Sequence, residues 1–246
     1  MKNILLLVLF FFTPLFGREY DNRYKDYFLE AVLNNNIYDV SKYISKVDIN
    51  TMYEDNETAL SLAASYGYFD IVKTLIESGA DVNIQNRYGN TALMLAASYG
   101  FDNVAKILIE SGAKIDVQNV YGNTALILAS YKGNMDVVSL LIKSGANLDI
   151  KNSNGETALF NAVYNNLSGV ADLLIKSGAE LDLQNNNGYT ALIMASINGN
   201  LDLAKMLISA GADINKKDKY GQAAIDFAYN MNYRYIVELL EKAGAE

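Results

Sequence analysis

The sequence predicts an all-α chain: a solenoid of about seven stacked helix-turn-helix units with β-turn or hairpin tips, preceded by a signal peptide. Three observations predict it. A Thr-Ala-Leu triplet recurs every 33 residues, opening at Thr58, Thr91, Thr124, Thr157 and Thr190, with a worn sixth copy at Ala223-Ala224-Ile225. A Gly-Ala pair keeps the same step, opening at Gly79, Gly112, Gly145, Gly178, Gly211 and Gly244. Between the two marks, apolar residues follow helical spacing. A register held this strictly belongs to units that bury their flanks against one another.

Composition sets limits before any residue has a role. The chain has 246 residues and 51% are hydrophobic, enough for a core that a repeat array spreads as a thin slab between neighbours. The formal net charge is −8 and the pI about 4.7, a balance opposed to nucleic acid and to anionic membrane, which call for clustered Lys and Arg. Cysteine and histidine are both absent. Disulfides, thiolate nucleophiles and lipid attachment through cysteine are thereby excluded. The commonest general base and transition-metal ligand go with histidine. Carboxylates remain, but no catalytic, metal or cofactor site is nominated.

The chain opens MKNILLLVLFFFTPLFG: one Lys, an apolar run from Ile4 to Phe12, then Thr13-Pro14 and the small residue Gly17. This is the layout of a secretory signal peptide over residues 1–17, too short in its apolar run for a comfortable membrane span. Cleavage after Gly17 is expected, with an uncleaved anchor as the alternative. Loss of Lys2 would take the net charge from −8 to −9. The destination is periplasmic or extracellular, with no stable membrane span after cleavage.

Each unit then repeats one grammar. A turn such as Asn86-Arg87-Tyr88-Gly89 precedes Thr91, whose hydroxyl can cap the first N–H groups of a helix. A short Ala-rich helix over Ala92–Tyr99 lets neighbours approach closely, and Gly100 ends it where the chain takes positive φ. A second helix runs from Asp102 to Glu110, with Val104, Ala105, Leu108 and Ile109 on one stripe. Ser111-Gly112-Ala113 stops it, and Ile115-Asp116-Val117 is expected to be a short extended piece leading to the next turn.

The pattern Gly-x-Thr-Ala-Leu-x-x-Ala-Ala, then Gly, then Asp70 to Asn83 (DIVKTLIESGADVN) resembles the ankyrin repeat. The likeness covers about residues 51–246, and a degenerate version extends to about residue 22. One departure is general: the family's Thr-Pro-Leu-His is here Thr-Ala-Leu followed by Ser61, Met94, Ile127, Phe160 or Ile193, so a histidine that reinforces the turn is missing. The units are taken as 18–50 (a degenerate cap in which Ala31, Val32, Val40, Tyr43 and Ile44 echo later units), 51–83, 84–116, 117–149, 150–182, 183–215 and 216–246 (a terminal cap). Two columns change character near the ends: Ile76, Ile109, Ile142, Ile175 and Ile208 give way to Glu241, and the column from Met94 to Ile193 is flanked by Ser61 and Asp226. Both changes are expected to be polar faces where stacking stops, in a complete array.

The resemblance implies that a protein partner sits on the concave side, against the turn tips and the first-helix ends. The candidate contacts are Tyr66, Arg87, Tyr88, Tyr99, Tyr121, Tyr131, Lys132, Tyr164, Asn165, Tyr189 and Tyr220. Tyr66, Tyr99, Tyr131 and Tyr164 come from successive units and are expected to form a ladder. Tyrosine offers rigid area and a hydrogen bond at low entropic cost, although 18 Tyr in the chain are equally well a matter of compositional bias. Glu54, Asp55 and Glu57 at one end and Lys216, Lys217 and Lys219 at the other either orient a polar partner or solubilise the array ends.

Unit 150–182 is irregular. Asn161 stands where Leu62, Leu95, Leu128 and Met194 stand elsewhere, Asn166 replaces the helix-ending Gly, and Gly169 lies within the second helix. A buried amide needs a backbone partner or marks a kink. Asn56-Glu57-Thr58 and Asn166-Leu167-Ser168 match a glycosylation pattern, but both occupy turn positions that the repeat explains. The function expected is a non-enzymatic, monomeric binding scaffold outside the cytoplasm. An inhibitor or immunity-type protein, a secreted effector acting on a foreign protein, a structural spacer and a carboxylate-based enzyme are the alternatives.

Overall fold

A computed structural model describes residues 18–245, with side chains from residue 23 onward. The expected signal peptide lies outside the described residues. Among the described residues, fourteen α-helices form seven helical hairpins. They are α1 (Arg18–Leu33) with α2 (Ile37–Tyr43), α3 (Ala59–Ser65) with α4 (Phe69–Glu77), and α5 (Ala92–Tyr99) with α6 (Asp102–Glu110). There follow α7 (Ala125–Lys132) with α8 (Met135–Lys143), α9 (Ala158–Tyr164) with α10 (Ser168–Lys176), α11 (Ala191–Ile197) with α12 (Leu201–Ser209), and α13 (Ala224–Asn230) with α14 (Arg234–Ala243). No strand occurs among the described residues.

Local chemistry starts each first helix. Thr58, Thr91, Thr124, Thr157 and Thr190 accept at Oγ1 from the backbone N–H three residues on, at 3.1–3.3 Å, relieving one of the unpaired donors of a helix start. The worn copy has no hydroxyl. There the Asp226 carboxylate reaches back to the Ala223 N–H at 2.7 Å. Ser61 does the same, its Oγ accepting from Thr58 N–H at 2.8 Å while only 3% exposed. Ser61 and Asp226 are therefore capping-box partners and not the polar end faces the sequence suggested. Glu241 is exposed and accepts a hydrogen bond from the Tyr229 hydroxyl.

The core is a slab between two rows of helices. Leu60, Leu93, Leu126, Leu159 and Leu192 of the first row are at most 1% exposed, and Leu75, Leu108, Leu141, Leu174 and Leu207 of the second row are fully buried. Each such leucine contributes on the order of 2 kcal/mol. Buried alanines such as Ala96, Ala129, Ala162 and Ala195 let first helices pack more closely on one another than second helices do. A row packed more tightly on one side bends the stack toward that side, so the first helices line the inner curve.

Two local details differ from the expectation. Ile115 and Asp116 lie in a turn and not in an extended piece, because the Asp and Asn side chains around this point tie the loop to its neighbours. The first helix of the opening unit, α1, is 16 residues long, about twice its later counterparts, and buries Phe28 and Val32 completely.

Candidate functional site

The inner curve is built from two parts: the turn tips and the exposed ends of the first helices. At each tip one Asn or Asp folds the backbone around its own side chain. Asn119 Oδ1 accepts from the Tyr121 and Asn123 N–H groups, both at 3.0 Å. Asn86, Asn152, Asn185 and Asp218 repeat the geometry. This arrangement mimics a backbone turn and stiffens the tips without histidine. The first tip departs from it. Tyr53 occupies the Asn position, and Asp55 and Asn56 take positive φ of 55° and 59°.

Successive tips are joined by single backbone bonds: Arg87 N–H to Asp55 O at 2.7 Å, Val120 to Tyr88 at 3.0 Å, Ser153 to Tyr121 at 2.9 Å, Asn186 to Asn154 at 2.8 Å and Lys219 to Asn187 at 3.4 Å. Side chains add rungs. Asn119 Nδ2 donates to Asn90 Oδ1 at 2.8 Å and Asn152 Nδ2 to Asn123 Oδ1 at 3.0 Å. Gln85, Gln118 and Gln184 donate to backbone carbonyls one unit on. At the opposite end of the units, Asn83, Asp116, Asp149 and Asp182 accept from the N–H of residues 31 positions later. Much of the Asn content is thus spent on joining repeats.

Most of the sequence-nominated contacts stand in solvent on this surface. Tyr66, Tyr99, Tyr131 and Tyr164 at the helix ends are 44–62% exposed, and the tip residues Tyr88, Tyr121 and Tyr220 are 41–82% exposed. The four helix-end rings do not share one position. Tyr66 and Tyr99 are 33 residues apart, as are Tyr131 and Tyr164, but Tyr99 and Tyr131 are 32 apart. One residue is about 100° around a helix, so these are two short pairs and not one ladder. Tyr66 stacks on Tyr68 of its own unit, ring centroids 5.4 Å apart, and the Lys132 ammonium lies 5.5 Å from the Tyr131 ring centroid.

Three nominated residues are drawn into the protein's own structure. Tyr189 is half-buried, edge-on to Phe227 of the next unit at 5.5 Å. Arg87 pairs with Asp55 at 3.0 Å, and that contact raises the guanidinium pKa further. Asn165 donates to the Asn161 carbonyl at 3.0 Å. Much of the acidic group at the first tip is engaged as well: Glu57 accepts from Ser61 Oγ and from Asn86 Nδ2.

Asn161 finds the backbone partner its burial requires. It is 5% exposed and donates from Nδ2 to Thr157 O at 3.0 Å. It also forms the wall of a cavity of about 290 Å³ between α7 and the tip of unit 150–182, shared with Ile127, Leu128, Tyr131, Lys132 and Glu156. Sequence reasoning picked out Tyr131, Lys132 and Asn161 separately and missed Glu156. The signal was present in the 33-residue columns, where Glu57, Asn90, Asn123 and Glu156 occupy one polar position. Among the described residues, no group of three or more carboxylates is gathered to hold a metal ion, and no helix is long and apolar enough to cross a membrane.

A family model for ankyrin repeats (3 copies) matches the chain at residues 28–119, 115–185 and 159–246. No curated protein matches the chain.

Proposed function

The chain belongs to the ankyrin-repeat family, and on that premise we propose that it is a monomeric scaffold, exported from the cytoplasm, which holds another protein in its inner curve. Repeats of this family are generally protein-protein interaction modules, typically without enzymatic activity. The observation that carries the reading is the exposure of large aromatic rings on rigid supports: Tyr88 and Tyr121 on tips held by side-chain and backbone bonds, and Tyr99 and Tyr131 on capped helices. Rings already ordered in the free protein lose little entropy on contact, which is where affinity is usually spent. The layout of residues 1–17, an apolar run from Ile4 to Phe12 behind one Lys and before a small residue, supports the exported setting.

The test is affinity capture from an envelope extract, with the chain from residue 18 as bait and Tyr99→Ala/Tyr131→Ala as its control. The pair samples both ring positions. A partner held by the native bait and lost from the double variant supports the groove; equal recovery by both baits rejects it. For cleavage, the intact mass of the protein recovered from cells is decisive. A species beginning after residue 17 agrees with cleavage, and one retaining Met1 overturns it.

A further inference from the structure

The cavity beside Asn161 differs from the rest of the groove in what it leaves unpaired. Asn161 is nine-tenths buried, and its Nδ2 is committed to Thr157 O, but its Oδ1 receives no hydrogen bond from the protein. Glu156 lines the same cavity. One of its oxygens, Oε2, accepts from Asn152 Nδ2 at 3.0 Å, and Oε1 accepts from nothing. The cavity thus offers a carboxylate oxygen and an amide oxygen, both waiting for donors. Its other walls are Ile127, 2% exposed, the half-buried Leu128, the ring of Tyr131, Lys132 and the side chains of Asn123, Asn152 and Asn154.

Among the described residues the Glu156 carboxylate has no cationic partner. Lys132 lines the same cavity, but its ammonium lies over the Tyr131 ring and makes no ion pair with Glu156. The notch also breaks a pattern: Leu62, Leu95, Leu128 and Met194 hold the Asn161 position elsewhere, so no other unit presents this acceptor.

We infer that this cavity is the receptor for an arginine side chain of the partner, a reading that rests on the groove being the docking surface. A guanidinium is planar and carries donors in a fork, so it can bond the Glu156 carboxylate and the Asn161 amide oxygen together. Its methylene stem covers Leu128 and Ile127. A carboxylate-bearing side chain would meet the like charge of Glu156, and an aliphatic one would leave that carboxylate without a cation.

The test uses the full chain and small probes. N-acetyl-arginine amide, its neutral isostere N-acetyl-citrulline amide and N-acetyl-lysine amide are titrated while backbone amide resonances are followed. The arginine probe is expected to give saturable shifts confined to residues 123–132 and 152–161, with the citrulline probe at least tenfold weaker and the lysine probe weaker than arginine. Glu156→Gln and Asn161→Leu are each expected to weaken arginine binding at least tenfold. Asn161→Leu restores the residue type found in other units, so it keeps the fold while closing the notch. Equal binding of citrulline, undiminished binding in either variant, or shifts scattered over other carboxylates would overturn the assignment. If capture depends on the groove while the arginine probe fails to bind, the pocket assignment falls and the docking surface stands. Arginine binding without groove-dependent capture supports the pocket and removes the docking reading.

Discussion

Replacing Asn119 by Ala tests whether the side-chain bonds, and not the helices alone, hold the tips. Asn119 is 9% exposed and makes three bonds: it accepts from Tyr121 and Asn123 N–H and donates to Asn90 Oδ1, all between 2.8 and 3.0 Å. A net contribution of about 0.5–1.5 kcal/mol per bond gives about 1.5–4.5 kcal/mol. Because the surroundings are only partly buried, water can replace some of what is lost, so about 2 kcal/mol is expected. Asn119→Asp keeps both accepted bonds and places an oxygen opposite Asn90, whose amide can turn to donate its Nδ2. It should cost less than 1 kcal/mol. Urea unfolding followed by helical circular dichroism reads the two values, provided the slope with denaturant is unchanged. Amide exchange at Tyr121 and Asn123 adds a local readout, which should quicken in the Ala variant. An Ala variant within about 0.5 kcal/mol of wild type, or one no worse than Asp, would refute the account.

Other consequences follow from single residues. Ser130 and Ser196 are fully buried and their Oγ atoms have no hydrogen-bond partner; Ser130→Ala should therefore leave stability unchanged or raise it by up to about 1 kcal/mol, and a loss above 1 kcal/mol in thermal unfolding would contradict the packing. Burial, followed by the charge of Asp26, pushes the Tyr53 phenol up to about 12. A folded pKa above the unfolded value of about 10 means that the stabilisation is complete below pH 10 and is lost as pH rises toward 12. A late step near pH 12 should accordingly appear in tyrosinate absorbance and be lost in Tyr53→Phe. Gly122 and Gly112 both have positive φ, of 73° and 88°, but a Cβ at Gly122 would lie 2.7 Å from the Ser153 backbone nitrogen whereas one at Gly112 meets nothing within 4 Å. Gly112→Ala should cost about 1 kcal/mol for the left-handed backbone alone. Gly122→Ala should cost at least about 2 kcal/mol more, since its clash is with backbone that also carries the bond to Tyr121. Equal losses in urea melts would argue against the tip-to-tip contact.

What depends on near neighbours or on the 33-residue period was legible in the chain itself. The Thr caps, the helices Ala92–Tyr99 and Asp102–Glu110, the helix-ending Gly100 and the left-handed Asn166 (φ 58°) all follow from residues within a few positions of one another. Period alone implied that the two leucine columns meet in a shared core. Period read without the local rule misled at Ser61, whose side chain turns back three residues to cap a helix, and a local reading misled at Ile115-Asp116, which turn and do not extend because Asp116 ties the loop to the next unit.

Which polar and aromatic groups remain free was settled only by stacking one unit on the next. Tyr189 is covered because Phe227 arrives from the following unit, Glu57 is engaged because Asn86 reaches it from 29 residues away, and Glu156 joins Asn161 because α7 and the next tip close a cavity between them. The physical reason is one of range. Helix, cap and turn preferences act over three to five residues, whereas the availability of a donor, acceptor or ring is fixed by atoms about one repeat away, brought near by burial of apolar flanks that carry no instruction about the groove.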